Sequence, residues 1–176
     1  MPNYIDTART WVEGVLGARL TLTNSSQSKY NKDDMRVFVS CQIEEKEAVR
    51  KAYSAFEAAG MVITHDWTRT DEIGDKYKRA DEAGRRAKLD IDGVCNCDIY
   101  VLLSSNEKVG KGMYVELGAA LALSETNDGP EVYVVGPMNH LSIFYLHPAV
   151  THYDTIDDLI FDLTSRRGTD RILSNA

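Results

Sequence analysis

From Met35 onward, short β-branched runs alternate with stretches of helical spacing. That alternation restricts the chain to a parallel sheet with helices packed on it. "MRVFVSC" (35–41), "MVIT" (61–64), "DIYVLLS" (98–104), "EVYVVG" (131–136) and "AVTHY" (149–153) read as five short, apolar, buried strands. Val49, Ala52, Tyr53, Phe56 and Ala59 recur at helical spacing, and Gly60 closes that helix in the position glycine favours. Further helices are predicted at about 76–96, 112–126 and 155–166. The fold class expected is therefore α/β: a doubly wound, Rossmann- or flavodoxin-like five-stranded parallel sheet with helices on both faces.

That domain takes residues 35–176. Before it, Ile5, Ala8, Trp11, Val12, Val15 and Leu16 mark an amphipathic N-terminal helix, and "TNSSQSKYNKDD" reads as a polar linker, so 1–34 form a helical arm. The arm serves either as a dimer or docking element or as a mobile segment.

A formal net charge of −7 argues against a sequence-independent grip on a nucleic-acid polymer, which needs a basic face. A small anion remains compatible with an acidic protein, through a local pocket. No apolar run approaches the ~20 residues of a membrane span. "MPNYIDTARTWVEG" has neither the basic start nor the apolar core of a secretion signal. Cys41, Cys95 and Cys97 are odd in number, which suits free thiols in a reducing cytoplasm. "CNC" has no Cys/His pair at zinc spacing to go with it, so no metal and no cofactor is expected.

In doubly wound sheets, ligands collect beyond the carboxyl ends of the strands where strand order reverses. The stretches there are "SCQIEE", "HDWTRTDE", "SSNEKVGKG" and "GPMNH", all polar or glycine-bearing. Two carboxylates stand out near them. In the helix before the third strand, Ala80, Ala83, Ala87, Ile91 and Val94 form an apolar stripe with Asp90 on its edge, whereas Asp92 points away. An acid there is costly unless paired or functional, so Asp90 either pairs with an arginine such as Arg86, or caps a loop, or works. Glu116 lies among small and apolar residues in "GKGMYVELGAALAL". A first-turn position would let the helix dipole alone account for it.

Together, these residues resemble a known family. "LDIDGVCNCDIYVLLSSNEKVGKGMYVELGAALAL" is similar to the nucleoside 2-deoxyribosyltransferase superfamily, which includes 2′-deoxynucleoside 5′-monophosphate N-glycosidases. The matching elements are Asp90, Val94, Cys97–Asp98 opening a strand, and Gly112 through Glu116, Leu117, Gly118 and Ala120. The likeness is specific over about 35 residues and follows element order over roughly 35–165. It implies that Glu116 attacks C1′ of a nucleoside sugar and forms a glycosyl ester, which passes to water or another base with net retention. Asp90 would assist departure of the base, and Asp98 would stand behind the site or shape it. The helix start would keep Glu116 ionised. The resemblance also implies a small nucleoside or nucleotide as partner and a homodimer or higher homo-oligomer.

Ser104, Ser105, Lys108 and Lys111, with Gly110 and Gly112 allowing close backbone approach, are the phosphate-side candidates; the alternative is a plain solvated loop. His65, Asp66 and Trp67 follow the second strand, where Trp67 could stack on a base or merely cover the sheet end, and His65 could orient the ligand or sit on the surface. His140, His147 and His152 are given no role. The family's first strand often carries a Tyr that bonds the nucleophile, and then a glycine; Phe38 and Cys41 stand there in this chain. Phe38 cannot donate, so Tyr114 or another hydroxyl would replace it, and Gln42 could reach the ligand. Two other outcomes remain: a glycohydrolase acting on a dinucleotide of the NAD type, and a nucleotide-binding sensor without turnover.

Overall fold

The computed structural model describes residues 34–69, 80–104, 110–126, 128–139 and 142–174, the last eight by backbone alone. The predicted N-terminal arm and most of its linker lie outside the described residues, as do Ser105 and Lys108.

Five strands form one sheet: β1 (Arg36–Ser40), β2 (Val62–Ile63), β3 (Ile99–Leu103), β4 (Glu131–Val135) and β5 (Val150–Tyr153). Their order is β2-β1-β3-β4-β5, and every pairing is parallel. This is the doubly wound α/β arrangement expected from the sequence. β3, at the centre, is buried along its whole length. That is why it reads as a continuous apolar run and not as an alternating one.

Among the described residues, four α-helices cover the sheet: α1 (Lys46–Ala58), α2 (Ala80–Cys95), α3 (Lys111–Ser124) and α4 (Ile156–Ser174). Strand alternation sorts the core into two layers. Val37, Val39, Val101 and Tyr133 pack with Val49 and Phe56 of α1 and Leu159 and Leu163 of α4. Phe38, Tyr100, Leu102 and Val134 pack with Val94 of α2 and Met113, Leu117 and Ala120 of α3. The last helix runs eight residues past its predicted end at 166. Gly168 lies within the extension, since one glycine weakens a helix by only ~1 kcal/mol and need not end it.

Two features of the second layer position the site. Phe38 stacks on Tyr100 with ring centroids 6.1 Å apart and an interplanar angle of 11°. Gly93 lies directly on that floor: a Cβ there would come 2.8 Å from two carbons of the Phe38 ring and 2.9 Å from the His65 Cβ. The missing side chain lets α2 approach the sheet and lowers Asp90, about one turn earlier, toward the strand ends. Gly93→Ala is expected to destabilise the protein by ~1–3 kcal/mol through overpacking, read as a lower urea midpoint with an unchanged slope.

At the opposite, amino edge, Asp98 joins the starts of β1 and β3. Its carboxylate accepts from the Arg36 backbone N at 2.8 Å, from Nε at 2.9 Å and from Nη2. No helix among the described residues is long and apolar enough to cross a membrane.

Candidate active site

The order reverses between β1 and β3, since β1 continues outward to β2 and β3 to β4. Beyond the carboxyl ends of these two strands lies a cleft of about 330 Å³. Its floor is set by β1 parity. Phe38 faces the α2/α3 layer, so Ser40, two residues on, faces it too. Ser40 is fully buried, and its Oγ donates to Glu116 Oε2 at 2.5 Å.

Glu116 is the sixth residue of α3, whose N-cap is Gly110 and whose first turn holds no acid. It therefore lies in the second turn, and the helix start does not hold it ionised, contrary to the expectation from sequence. Its pKa is instead raised from 4.5 to about 7. Burial is the main cause and Asp90's negative charge adds to it, while the Ser40 hydrogen bond and His65 pull the other way. Neutral pH thus finds Glu116 near its midpoint, as suits a group that must carry charge at one step and shed it at another.

Asp90 faces the same cleft from α2. Its partner is His65, with Nε2 3.3 Å from Oδ1, and both side chains are largely covered. Arg86, the alternative partner weighed from sequence, donates to Glu82 at 2.9 Å, and Arg85 donates to the same carboxylate at 3.0 and 3.2 Å. Those hydrogen bonds hold Glu82 down to about 2. Arg85 and Arg86 form one rim of the cleft; Gly110, Lys111 and Gly112 form another.

No protein-family model and no curated protein matches the chain. Among solved structures, the CMP N-glycosidase BcmB of Clostridium botulinum is similar to it, at 20% sequence identity over 73% of this chain and 97% of that one, with a TM-score of 0.44.

Of the residues singled out by sequence, Cys41, Gln42, His65, Trp67, Asp90, Gly110, Lys111, Gly112 and Glu116 line the cleft. Trp67 is tied down by its indole N–H, which donates to the Val39 carbonyl at 2.8 Å. The Cys41 thiol donates to the Leu103 carbonyl at 3.7 Å, and burial pushes its pKa up to about 12, so it stays a thiol and is no nucleophile.

Five other candidates are placed elsewhere. Phe38 is fully buried beneath the site, stacked on Tyr100. Asp66 accepts from Thr68 N and Oγ1 and from Arg69 Nε, and so caps the turn at Trp67–Arg69. Asp98 is at the amino edge, held by Arg36. Ser104 bridges the end of β4, donating to the Val135 carbonyl at 3.1 Å and accepting from Met138 N at 3.1 Å. Tyr114 stacks on Tyr145 with centroids 6.1 Å apart and accepts from the Tyr145 hydroxyl at 3.5 Å, and the hydroxyl bonded to Glu116 is not its own.

Ser40 supplies it, and sequence reasoning missed it. The signal was available, because Ser40 shares the inward parity of Phe38. Arg85, Leu89 and Met113 also line the cleft without having been foreseen. Among the described residues, no group of three His, Cys, Asp or Glu side chains is placed to hold a metal ion.

Ser40→Ala removes the one hydrogen bond that favours the charged form of Glu116. The carboxyl pKa should climb further, shifting the acid limb of a kcat/KM–pH profile upward by about one pH unit. An unmoved limb would show that the bond does not tune Glu116.

Proposed function

We propose that the protein cleaves the N-glycosidic bond of a nucleoside or nucleoside 5′-monophosphate through a covalent glycosyl–Glu116 intermediate. The observation that carries this reading is the pairing of roles in one cleft: a carboxyl poised near neutrality on Ser40, facing a second carboxylate held by His65.

Ionised Glu116 attacks C1′ opposite the base. The C1′–N bond breaks and its electron pair leaves on the base nitrogen, where the Asp90–His65 pair delivers a proton or orients the group that does. Water or a second base then attacks C1′ from the vacated face, and Glu116 leaves as carboxylate. Two inversions give retention. Desolvation serves this chemistry, since a carboxylate freed of water is the stronger nucleophile toward a developing sugar cation. Trp67 and Leu89 offer apolar surface for the base.

Lys111 on one rim and the two arginines on the other support an anionic 5′ substituent. Gly110 and Gly112 let it approach the start of α3.

The test is chromatographic. The protein is incubated with nucleosides, their 5′-monophosphates and NAD, with and without added free base. Release of base from nucleosides or monophosphates is expected, and exchange with added base marks a transferase. Nucleotide binding without release from any of them contradicts the proposal and favours a sensor.

A further inference from the structure

We propose that Gln42 is the residue by which the cleft recognises a neutral N–H or O–H donor on its ligand; this rests on the cleft being the nucleoside or nucleotide site described above. Gln42 is 4% exposed and lines the cleft beside Glu116. Among the described residues, its Oε1 is the sole buried side-chain nitrogen or oxygen without a hydrogen-bond partner. Buried polar groups are nearly always paired, and an unpaired one costs stability unless something else satisfies it.

The amide's orientation follows from its neighbour. Nε2 lies 3.4 Å from Glu45 Oε1, and a carboxylate only accepts, so the NH₂ end must face Glu45. The carbonyl is the end left over. At 3.4 Å that tether is weak. The broad terminal torsion of a glutamine therefore lets the carbonyl swing toward a donor in the cleft.

The stem is held more firmly. Gly110, the N-cap of α3, lies so close that a Cβ on it would come 3.0 Å from Gln42 Cα and 3.1 Å from its Cβ. Cys41 packs in the opposite layer with Val37 and Val39, so the alternation of β1 carries one residue past the strand end to Gln42. Gln42 accordingly stands on the same face as Ser40, roughly 7 Å farther out.

A carbonyl in this position rewards a ligand hydroxyl or amino group and penalises a ligand that presents only acceptors, such as a phosphate dianion. It acts at its own end of the cleft, whereas anions are served by the cationic rims. The donor comes either from a sugar hydroxyl or from the base, and the test separates the two.

The experiment uses the full chain carrying Glu116→Gln, so that bound ligand is not consumed. Calorimetric titration compares this parent with the same protein bearing Gln42→Met, which keeps the length of the side chain and loses the acceptor. The probes are 2′-deoxyadenosine and 2′-deoxycytidine, and their analogues lacking the 5′-hydroxyl, the 3′-hydroxyl or the base amino group. Gln42→Met should weaken the donor-bearing probes about tenfold, and the gap should close for the analogue that lacks the matching donor. Unliganded Gln42→Met should also melt above its parent, since an unpaired carbonyl has been removed.

Equal affinities for every probe, equal losses across all of them, no binding by the parent, or a lower melting temperature would each overturn the assignment. Donor-selective binding together with absence of base release by the wild-type chain would defeat the catalytic reading and leave the role of Gln42 standing.

Discussion

Glu116→Gln is expected to slow base release by about 10⁴-fold or more while leaving the fold intact, as removal of a covalent nucleophile does. The amide keeps the shape of the carboxylate and an oxygen to accept from Ser40, but it cannot form and release a sugar ester. The same substitution should stabilise the protein, in a pH-dependent way. Glu116 titrates at about 7 when folded, against 4.5 ordinarily. Below about 4.5 it is neutral in both states and nothing separates variant from wild type. Between about 4.5 and 7 the unfolded chain ionises while burial keeps the folded one protonated, so the wild type loses stability that the variant keeps, and the loss levels off above 7. A tenfold change in an ionisation equilibrium is worth ~1.4 kcal/mol, so the gap at pH 8 is at most about 3 kcal/mol. Urea unfolding of both proteins at pH 4.5 and 8 reads it directly. A buried carboxyl that opposes folding shows the stability–activity conflict that the proposed role of Glu116 predicts.

Asp90→Asn is expected to cost ~10²–10⁴-fold in turnover, the usual worth of a positioned acid. The loss should depend on the leaving group. A nucleoside whose base departs readily without a proton, such as one of 7-methylguanine, should be nearly indifferent. A poor leaving base should carry the full penalty. The charge has a second effect, because Asp90 raises the Glu116 pKa. Its removal should shift the acid limb of the kcat/KM–pH profile to lower pH, opposite to the shift expected for Ser40→Ala. Rates parallel to wild type across both kinds of base would place Asp90 outside the chemistry.

The sheet was legible because buried parallel strands write themselves as apolar runs. "DIYVLL" and "EVYVV" correspond to β3 and β4 within a residue or two at either end. Asp90 was legible from helix phase, since its position on the edge of the alanine stripe follows from 100° per residue. The position of Glu116 within its helix was less so. A helix start predicted at 112 instead of 111 is a small error. What misled was treating the sixth residue as belonging to the first turn, which reversed the expected direction of its pKa.

Pair contacts across the sheet were harder still. Asp98, expected to stand behind the site or shape it, opens its strand at the amino edge, and only the three-dimensional pairing names Arg36 as its partner. Ser104 and Tyr114 have the right chemistry for ligand binding. Both are occupied by partners far away in sequence, Val135 and Tyr145. Composition identifies which groups are able to bond; only the fold says which are already bonded.

Stereochemistry tests the central claim most directly. With methanol added as acceptor and a β-nucleoside as substrate, proton NMR of the methyl glycoside distinguishes one displacement from two. Attack by Glu116 followed by methanolysis predicts the β product, with configuration retained. The α product would mean that solvent attacks C1′ directly and that Glu116 forms no bond to the sugar.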